Sequence, residues 1–458
     1  MLQVISPVDG RVFAERALTP QGELEAAISS ARSAQALWRR VPLEQRIALV
    51  RSAVGELTAD REAAAEELAW MMGRPVRYGG EFGGVTERAE YMAEIAPRAL
   101  SPLIVEDSAR FRRYITREPH GLVLVVAPWN YPYLTAINSV APALVAGNAV
   151  LIKPATQTLL TGERMANAFV SAGLPSGLFQ TLYMDHATTN AIIASGSIDF
   201  VNFTGSVGGG MSIERAASGT FMPIGLELGG KDPGYVMEDA DLDAAVASLM
   251  DGAFYNSGQC CCGIERIYVH EGLYDEFVEK AVAEIKHLKL GNPLDTETTL
   301  GPMAHVRFAA EVRAQISEAI AQGATAHIDP RLFPADDGGA YLAPQILTDV
   351  THQMRVMREE SFGPIVGIMK VCGDAEAISL MNDSEFGLTA SLWTSDVDRA
   401  TAIAEELETG TVFMNRCDYL DPAMCWTGCK NTGRGATLSE LGYHSLTRPK
   451  SHHFRLKQ

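Results

Sequence analysis

The chain has 458 residues, 47% of them hydrophobic and 21% charged, the balance of a globular protein with a large buried core divided into about three domains or subdomains. Its 38 basic and 56 acidic residues leave a formal net charge of −18, which argues against nonspecific nucleic-acid binding. The N-terminal MLQVISPVDGRVF lacks a basic stretch followed by an apolar one, and the most apolar runs, LVLVVA (122–127) and VAPALVAGNAVLI (140–152), are too short or too interrupted to span a bilayer. Neither a signal peptide nor a membrane span is expected, and seven cysteines without a disulfide-like spacing fit a reducing, cytoplasmic setting.

Leu24, Ala27, Ile28, Ala31, Ala34, Leu37 and Trp38 recur at helical spacing, and Leu43, Ile47, Val50, Val54 and Leu57 do so again. The period changes in RRYITREPHGLVLVVAPW (112–129). Tyr114 and Thr116 alternate with arginines, as in a partly exposed strand, and a continuous apolar run ending at Pro128 then reads as a buried strand. AVLIKPA (149–155) is followed by a helix over 160–172, and LFQTLY (178–183) and DFVNFTGS (199–206) are further strands. Short apolar strands alternating with amphipathic helices predict an α/β unit with a mainly parallel sheet. After GLELGGKDPGYV (225–236), Leu242, Ala245, Val246, Leu249, Met250 and Ala253 line one helical face that runs out at Asn256-Ser257-Gly258. IERIYV (264–269) and the helical series from Leu273 to Ile285 make a second α/β unit. The C-terminal SLTRPKSHHFRLKQ reads as a terminal strand or as a frayed tail.

Several segments carry chemistry. NSGQCCCG (256–263) sets Cys260, Cys261 and Cys262 side by side after a flexible Ser-Gly that would expose one thiol. Its local pattern fits a nucleophile and core filler equally. A zinc site needs converging ligands. Cys425 and Cys429 have a permissible gap, with His452 and His453 nearby in sequence, but no second pair supports them, so no metal is expected. In GLELGGK, Glu227 lies between two leucines. Burial there would raise its pKa and make it a usable general base, and a partner Arg or Lys would make it merely structural. VNFTGSVGGG offers a strand–turn–helix junction able to hold a pyrophosphate, although the order G-x-G-x-x-G is absent. In PWNYP, Asn130 stands stiffly at a strand end, where its amide would donate to an oxyanion. EESFGP pairs Glu360 with Phe362 before a Gly-Pro turn.

PWNYP, the Lys-Pro-Ala after AVLI, FTGS, ELGGK, NSGQCC, EESFGP, NDSEFGLTAS (382–391) and GTVFMN (410–415) occur in the order and at the spacing of the aldehyde dehydrogenase superfamily. The chain resembles that superfamily from about residue 5 to 450. The resemblance implies an aldehyde dehydrogenase-like α/β fold: a Rossmann-type dinucleotide-binding domain (1–105 and 121–229), an α/β catalytic domain (230–435) and a small β oligomerisation flap (106–120 and 436–458). It implies Cys261 as nucleophile, Glu227 as general base, and Asn130 as oxyanion donor beside the backbone N–H of Cys261. Trp129, Lys153, Gly205 and Ser206 would contact the cofactor, Glu360 its ribose, and Phe362 would lie beside the nicotinamide.

The implied reaction oxidises a small aldehyde to its acid with NAD or NADP through a thiohemiacetal and a thioester. Glu227 points to hydrolysis of the thioester, since members passing the acyl group to coenzyme A generally lack this base. Two departures stand out. Thr156 occupies a position that is acidic in many NAD-preferring members, so NADP acceptance is expected. Ala436-Thr437 replaces an Arg-Glu pair, which puts any proton relay through that glutamate in doubt. MNRCDYLDPAMCW, with Asp418, Tyr419 and Asp421, would shape a non-generic pocket, and Arg416 would hold an acidic substrate end or form a structural salt bridge. A semialdehyde such as succinate semialdehyde, a homodimer or homotetramer and a cytoplasmic location complete the expectation. A noncatalytic binding protein on the same fold is the alternative.

Overall fold

The computed structural model describes residues 1–456. Four helices, Gln21–Trp38, Leu43–Thr58, Arg61–Met72 and Phe82–Ala99, open the chain after a small hairpin. A six-stranded sheet follows, in the spatial order Gly433–Arg434, Ile224–Glu227, Phe200–Thr204, Leu122–Val126, Ala149–Lys153 and Phe179–Thr181. All its pairings are parallel except that of Gly433–Arg434 with Ile224–Glu227. Every residue of Leu122–Val126 and Ala149–Lys153 is buried, as expected for central parallel strands covered on both faces. The connecting helix Pro132–Ala146 starts with proline, whose missing N–H costs nothing there, and ends at Gly147 with φ 98°.

A seven-stranded sheet runs Thr325–Ala326, Gln345–Thr348, Ile365–Val371, Ile264–His270, Asp232–Val236, Thr389–Trp393 and Thr411–Met414. Only the first pairing is antiparallel. The third large sheet is antiparallel, with Phe111–Pro119 between Leu103–Asp107 and Thr447–Arg455. This decides the reading of the C-terminus in favour of a strand, paired with Phe111–Pro119 from Thr447↔Pro119 to Arg455↔Phe111. The same sheet begins at Leu103, ahead of the expected boundary at 106, because Leu103 and Ile104 already pair with Ile115 and Tyr114. The strand expected over 178–183 is confined to Phe179–Thr181, which is as far as its ladder with Val150–Ile152 extends. No helix among the described residues is long and apolar enough to cross a membrane.

Candidate active site

The two larger sheets explain how motifs far apart in sequence meet. Trp129–Asn130, Lys153 with Thr156, Gly205–Ser206 and Glu227 all lie at or just beyond the carboxyl ends of four neighbouring parallel strands, the edge at which open α/β sheets bind ligands. In the second sheet three adjacent parallel strands start at Asp232, Ile264 and Ile365. The loops entering them carry ELGGK, NSGQCCCG and EESFGP. The exit edge of one sheet therefore faces the entry edge of the other. Contacts fix the junction. A Cβ on Gly230 would lie 2.2 Å from the Cys261 carbonyl oxygen, so only glycine fits. The Trp129 and Phe362 rings meet edge-on at 5.4 Å.

The cysteine loop is held rigidly, which corrects the reading of Ser257-Gly258 as flexible. Asn256, Ser257 and Gly258 are consecutive left-handed residues with φ 53°, 59° and 69°. For Asn and Ser this conformation costs of order 1–3 kcal/mol each. The loop is pinned from several sides. Asn256 Nδ2 donates to Gln259 O (3.2 Å), Gln259 Nε2 to Asn256 O (3.1 Å), Ala304 N to Gln259 Oε1 (2.7 Å) and Ser257 Oγ to Gly301 O (2.8 Å). Cys260 and Cys262 are buried and Cys261 is the more exposed of the three. Hydrogen bonds from the Cys260 and Cys262 thiols lower the Cys261 pKa to about 6 against the opposing effect of burial. The same coupling pushes Cys260 up to about 12 and Cys262 well above its ordinary value. Exposure and the direction of the shift both favour Cys261 over its neighbours as the reactive thiol.

Asn130 is buried, and its Nδ2 donates to Gln259 O at 3.2 Å, which leaves its second amide hydrogen for an oxyanion. Arg74 fixes this loop: its guanidinium donates to Asn130 O, pairs with Glu81 at 2.8 Å, reaches Asn256 Oδ1 at 3.3 Å and lies over the Tyr131 ring at 4.4 Å. Glu227 accepts from Thr437 Oγ1 at 2.6 Å and Thr204 Oγ1 at 2.8 Å, and no hydrogen bond among the described residues joins it to Cys261. Burial raises its pKa, while the two threonine hydroxyls and the Arg88 charge pull the other way. Gly433–Arg434, paired with Leu226–Glu227, is what brings Thr437 to this carboxylate.

A dinucleotide needs donors for its phosphates, acceptors for its ribose hydroxyls and an apolar wall for its ring. Lys153 is buried and without an ion pair among the described residues, and burial lowers its pKa. Ser206 caps the helix Val207–Ala217 by accepting from Gly209 N at 3.2 Å, and a Cβ on Gly208 would meet nothing within 4 Å. The N-terminus of that helix suits a pyrophosphate. Glu360 accepts from Gly230 N at 2.9 Å, has no ion-pair partner among the described residues, and is pushed up to about 8 by burial and then by the Glu265 charge. It suits ribose hydroxyls. Trp129 also stacks on Phe308 at 5.2 Å, and Phe362, at φ 51°, completes an aromatic wall. Thr156 is exposed and opens the turn Thr156–Thr158. The residues present fit the cofactor.

Several supporting residues escaped the sequence reading. Thr204 and Thr437 hold Glu227, and Arg74 holds Asn130. Lys231 pairs with Glu265 at 2.5 Å and donates to Ser361 Oγ at 2.9 Å, while Glu265 accepts from the backbone of Ser361 and Phe362, both at 2.8 Å. That clamp fixes the loop bearing Glu360. Arg416 forms no salt bridge among the described residues and instead stacks over Tyr419 at 3.9 Å. Cys429 Sγ donates to Glu408 O at 3.0 Å and His452 stacks on Tyr114 at 4.4 Å, so they do not assemble a metal site. Among the described residues the one group of three or more such ligands that converges is Cys260, Cys262 and Asp418.

The chain is similar to known proteins over nearly its whole length. The model of the Aldehyde dehydrogenase family matches residues 1–452. A 3,6-anhydro-alpha-L-galactose dehydrogenase from Vibrio sp. (strain EJY3) is 32% identical over 453 residues, covering 98% of this chain and 94% of the relative. A succinate semialdehyde dehydrogenase [NAD(P)+] from Escherichia coli (strain K12) is 33% identical over 446 residues, covering 96% and 95%. The crystal structure of succinic semialdehyde dehydrogenase from Streptococcus pyogenes in complex with NADP+ superposes with a TM-score of 0.94 at 30% identity, covering 99% of this chain and 100% of that one.

Proposed function

Because the chain belongs to the aldehyde dehydrogenase family and oxidises an aldehyde to the acid with NAD(P)+, we propose the following division of labour among its residues. Cys261 attacks the aldehyde carbonyl, and Asn130 Nδ2 with the Cys261 backbone N–H holds the resulting oxyanion. The observation that carries this reading is the loop that exposes Cys261 more than its two neighbours and is pinned to Asn130 through Gln259; the lowered pKa of Cys261 agrees with it. Lys153, Thr156, Gly205, Ser206 and Glu360 would hold the cofactor, and Trp129 and Phe362 would supply aromatic contacts to it. When bound, the nicotinamide supplies the hydride acceptor. Glu227 then takes a proton from water as the water attacks the thioester, and Cys261 leaves as thiolate. Each Glu227 oxygen accepts one threonine hydroxyl and keeps a second lone pair for that proton.

The substrate is a small semialdehyde of the succinate semialdehyde type. Arg88 supports this assignment. It is buried, has no ion pair among the described residues, donates to Leu134 O (3.0 Å) and Asn138 Oδ1 (3.2 Å), and its charge acts on Cys262, Glu227 and Cys261. That field favours an anionic substrate tail. The uncharged Thr156 favours acceptance of a 2′-phosphate. An aldehyde panel read by NAD(P)H formation tests both points. Succinate semialdehyde should exceed butanal in kcat/KM by at least about tenfold, or ~1.4 kcal/mol, and NADP+ should serve within about tenfold of NAD+. A preference for butanal rejects the substrate, and strict NAD+ use rejects the role of Thr156.

The three-part division is retained in this proposal, with the flap beginning at 103. Leu103, Ile104 and Val105 are 64%, 61% and 57% exposed on the edge strand of the flap. An exposed apolar edge invites pairing, which supports a homodimer or homotetramer. Sedimentation velocity should give a mass of two or four chains, and a stable monomer would refute the assembly. The seven free thiols favour a reducing, cytoplasmic setting.

A further inference from the structure

Cys260 and Cys262 meet a group that the oxidation does not use. Asp418 Oδ1 accepts from Cys262 Sγ at 2.9 Å and from Cys260 Sγ at 3.4 Å, and the two sulfurs are 3.5 Å apart. The turn closed by Gly263 N on Cys260 O at 3.1 Å brings residues 260 and 262 to one side. Asp418 reaches them from a backbone with φ 49°, a conformation unusual for a residue other than glycine. No Lys or Arg pairs with Asp418 among the described residues, so this carboxylate has acquired two soft donors as neighbours and no counter-charge.

The spacing matches a coordination polyhedron. Zinc binds thiolate at about 2.3 Å and carboxylate oxygen at about 2.0–2.2 Å, which sets tetrahedral edges of about 3.8 Å between sulfurs and about 3.5 Å between sulfur and oxygen. Two of the three observed separations lie within about 0.3 Å of these values, and the third needs to open by about 0.6 Å. Such a shift is within reach of side-chain rotation.

We propose that Cys260, Cys262 and Asp418 form a binding site for a thiophilic divalent cation of the Zn2+ class, whose occupancy silences the neighbouring Cys261. The two thiol protons leave to solvent as the thiolates coordinate. The fourth position is left to water or to the sulfur of Cys261, which stands between the two cysteine ligands in sequence. Either arrangement sets a divalent cation directly beside Cys261, the residue between its two cysteine ligands. Silencing rests on Cys261 being the nucleophile, whereas cation binding does not.

Cobalt(II) is the probe that separates the two. Added to the reduced, full-length protein, it should give thiolate-to-cobalt charge-transfer absorption saturating at one ion per chain, and zinc should abolish that absorption by displacement. Cys261→Ala should keep the band. Cys260→Ser, Cys262→Ser and Asp418→Asn should each weaken cobalt binding by at least about tenfold, since loss of even an outer-shell partner costs that much. Circular dichroism identifies any variant that fails to fold, and the remaining variants then carry the test. Zinc should also stop NAD(P)H formation by the unmodified enzyme, reversibly on chelation. The site is overturned if the band vanishes in Cys261→Ala, or if all three other folded variants bind cobalt as tightly as the parent. A bound metal with undiminished turnover would leave the cation site standing and overturn the silencing, whereas Cys261 as nucleophile is judged separately by the activity of Cys261→Ala.

Discussion

Cys261→Ala is expected to lower kcat/KM for aldehyde oxidation by about four to six orders of magnitude, because binding and oxyanion contacts alone remain once the nucleophile is gone. Steady-state NAD(P)H formation measures it, and a loss of only a few fold would contradict the assignment. The pH profile carries the same information. The reactive form is the thiolate, whose pKa is lowered to about 6. kcat/KM should therefore rise with pH through about 6 and be lost below it. Cys260→Ala deletes one thiol that donates to Cys261, so this limb should move to higher pH.

Glu227→Gln should lower kcat by about 10²–10⁴-fold, the range for removing a positioned general base. Glutamine can still accept from Thr204 or Thr437 but cannot take a proton from water. The first equivalent of NAD(P)H should still form in a burst, followed by a stalled acyl-enzyme. Rapid-mixing absorbance distinguishes the two phases, and disappearance of the burst would show that Glu227 acts before the thioester instead. Only the deprotonated carboxylate serves as base, and burial raises its pKa. kcat should accordingly increase as pH rises through that raised value. Thr437→Val removes a hydroxyl that pulls the pKa down, so the limb should shift further up in pH.

The parts of the fold legible in sequence are those written in local period. Leu122–Val126 and Ala149–Lys153 are unbroken apolar runs, and the structure buries every residue of both. The ordered motifs were equally legible, since Asn130, Glu227, Cys261 and Glu360 stand at strand ends where chemistry is exposed by topology. What escaped depends on partners far along the chain. Thr437 meets Glu227 across 210 positions, Arg74 meets Asn130 across 56, and Lys231 clamps Ser361 across 130. Nothing near Arg74 in sequence announces its contact, and Thr437 stood out only as a departure from the family's Arg-Glu pair. The Ser-Gly before the cysteines was misread because local composition signals freedom, while the hydrogen bonds that restrain it come from Asn256, Gln259, Gly301 and Ala304. The meeting of Asp418 with Cys260 and Cys262 was equally hidden from local spacing, since Asp418 arrives from 156 residues beyond Cys262.

Three adjacent thiols could carry the acyl group, and the proposed mechanism requires it on Cys261. Glu227→Gln enzyme, mixed with aldehyde and NAD(P)+ and quenched in acid after the burst, should yield a peptide acylated once. Fragmentation by mass spectrometry locates the added mass. The account predicts that it lies on Cys261; an acyl group on Cys260 or Cys262, or none while NAD(P)H has formed, would contradict it.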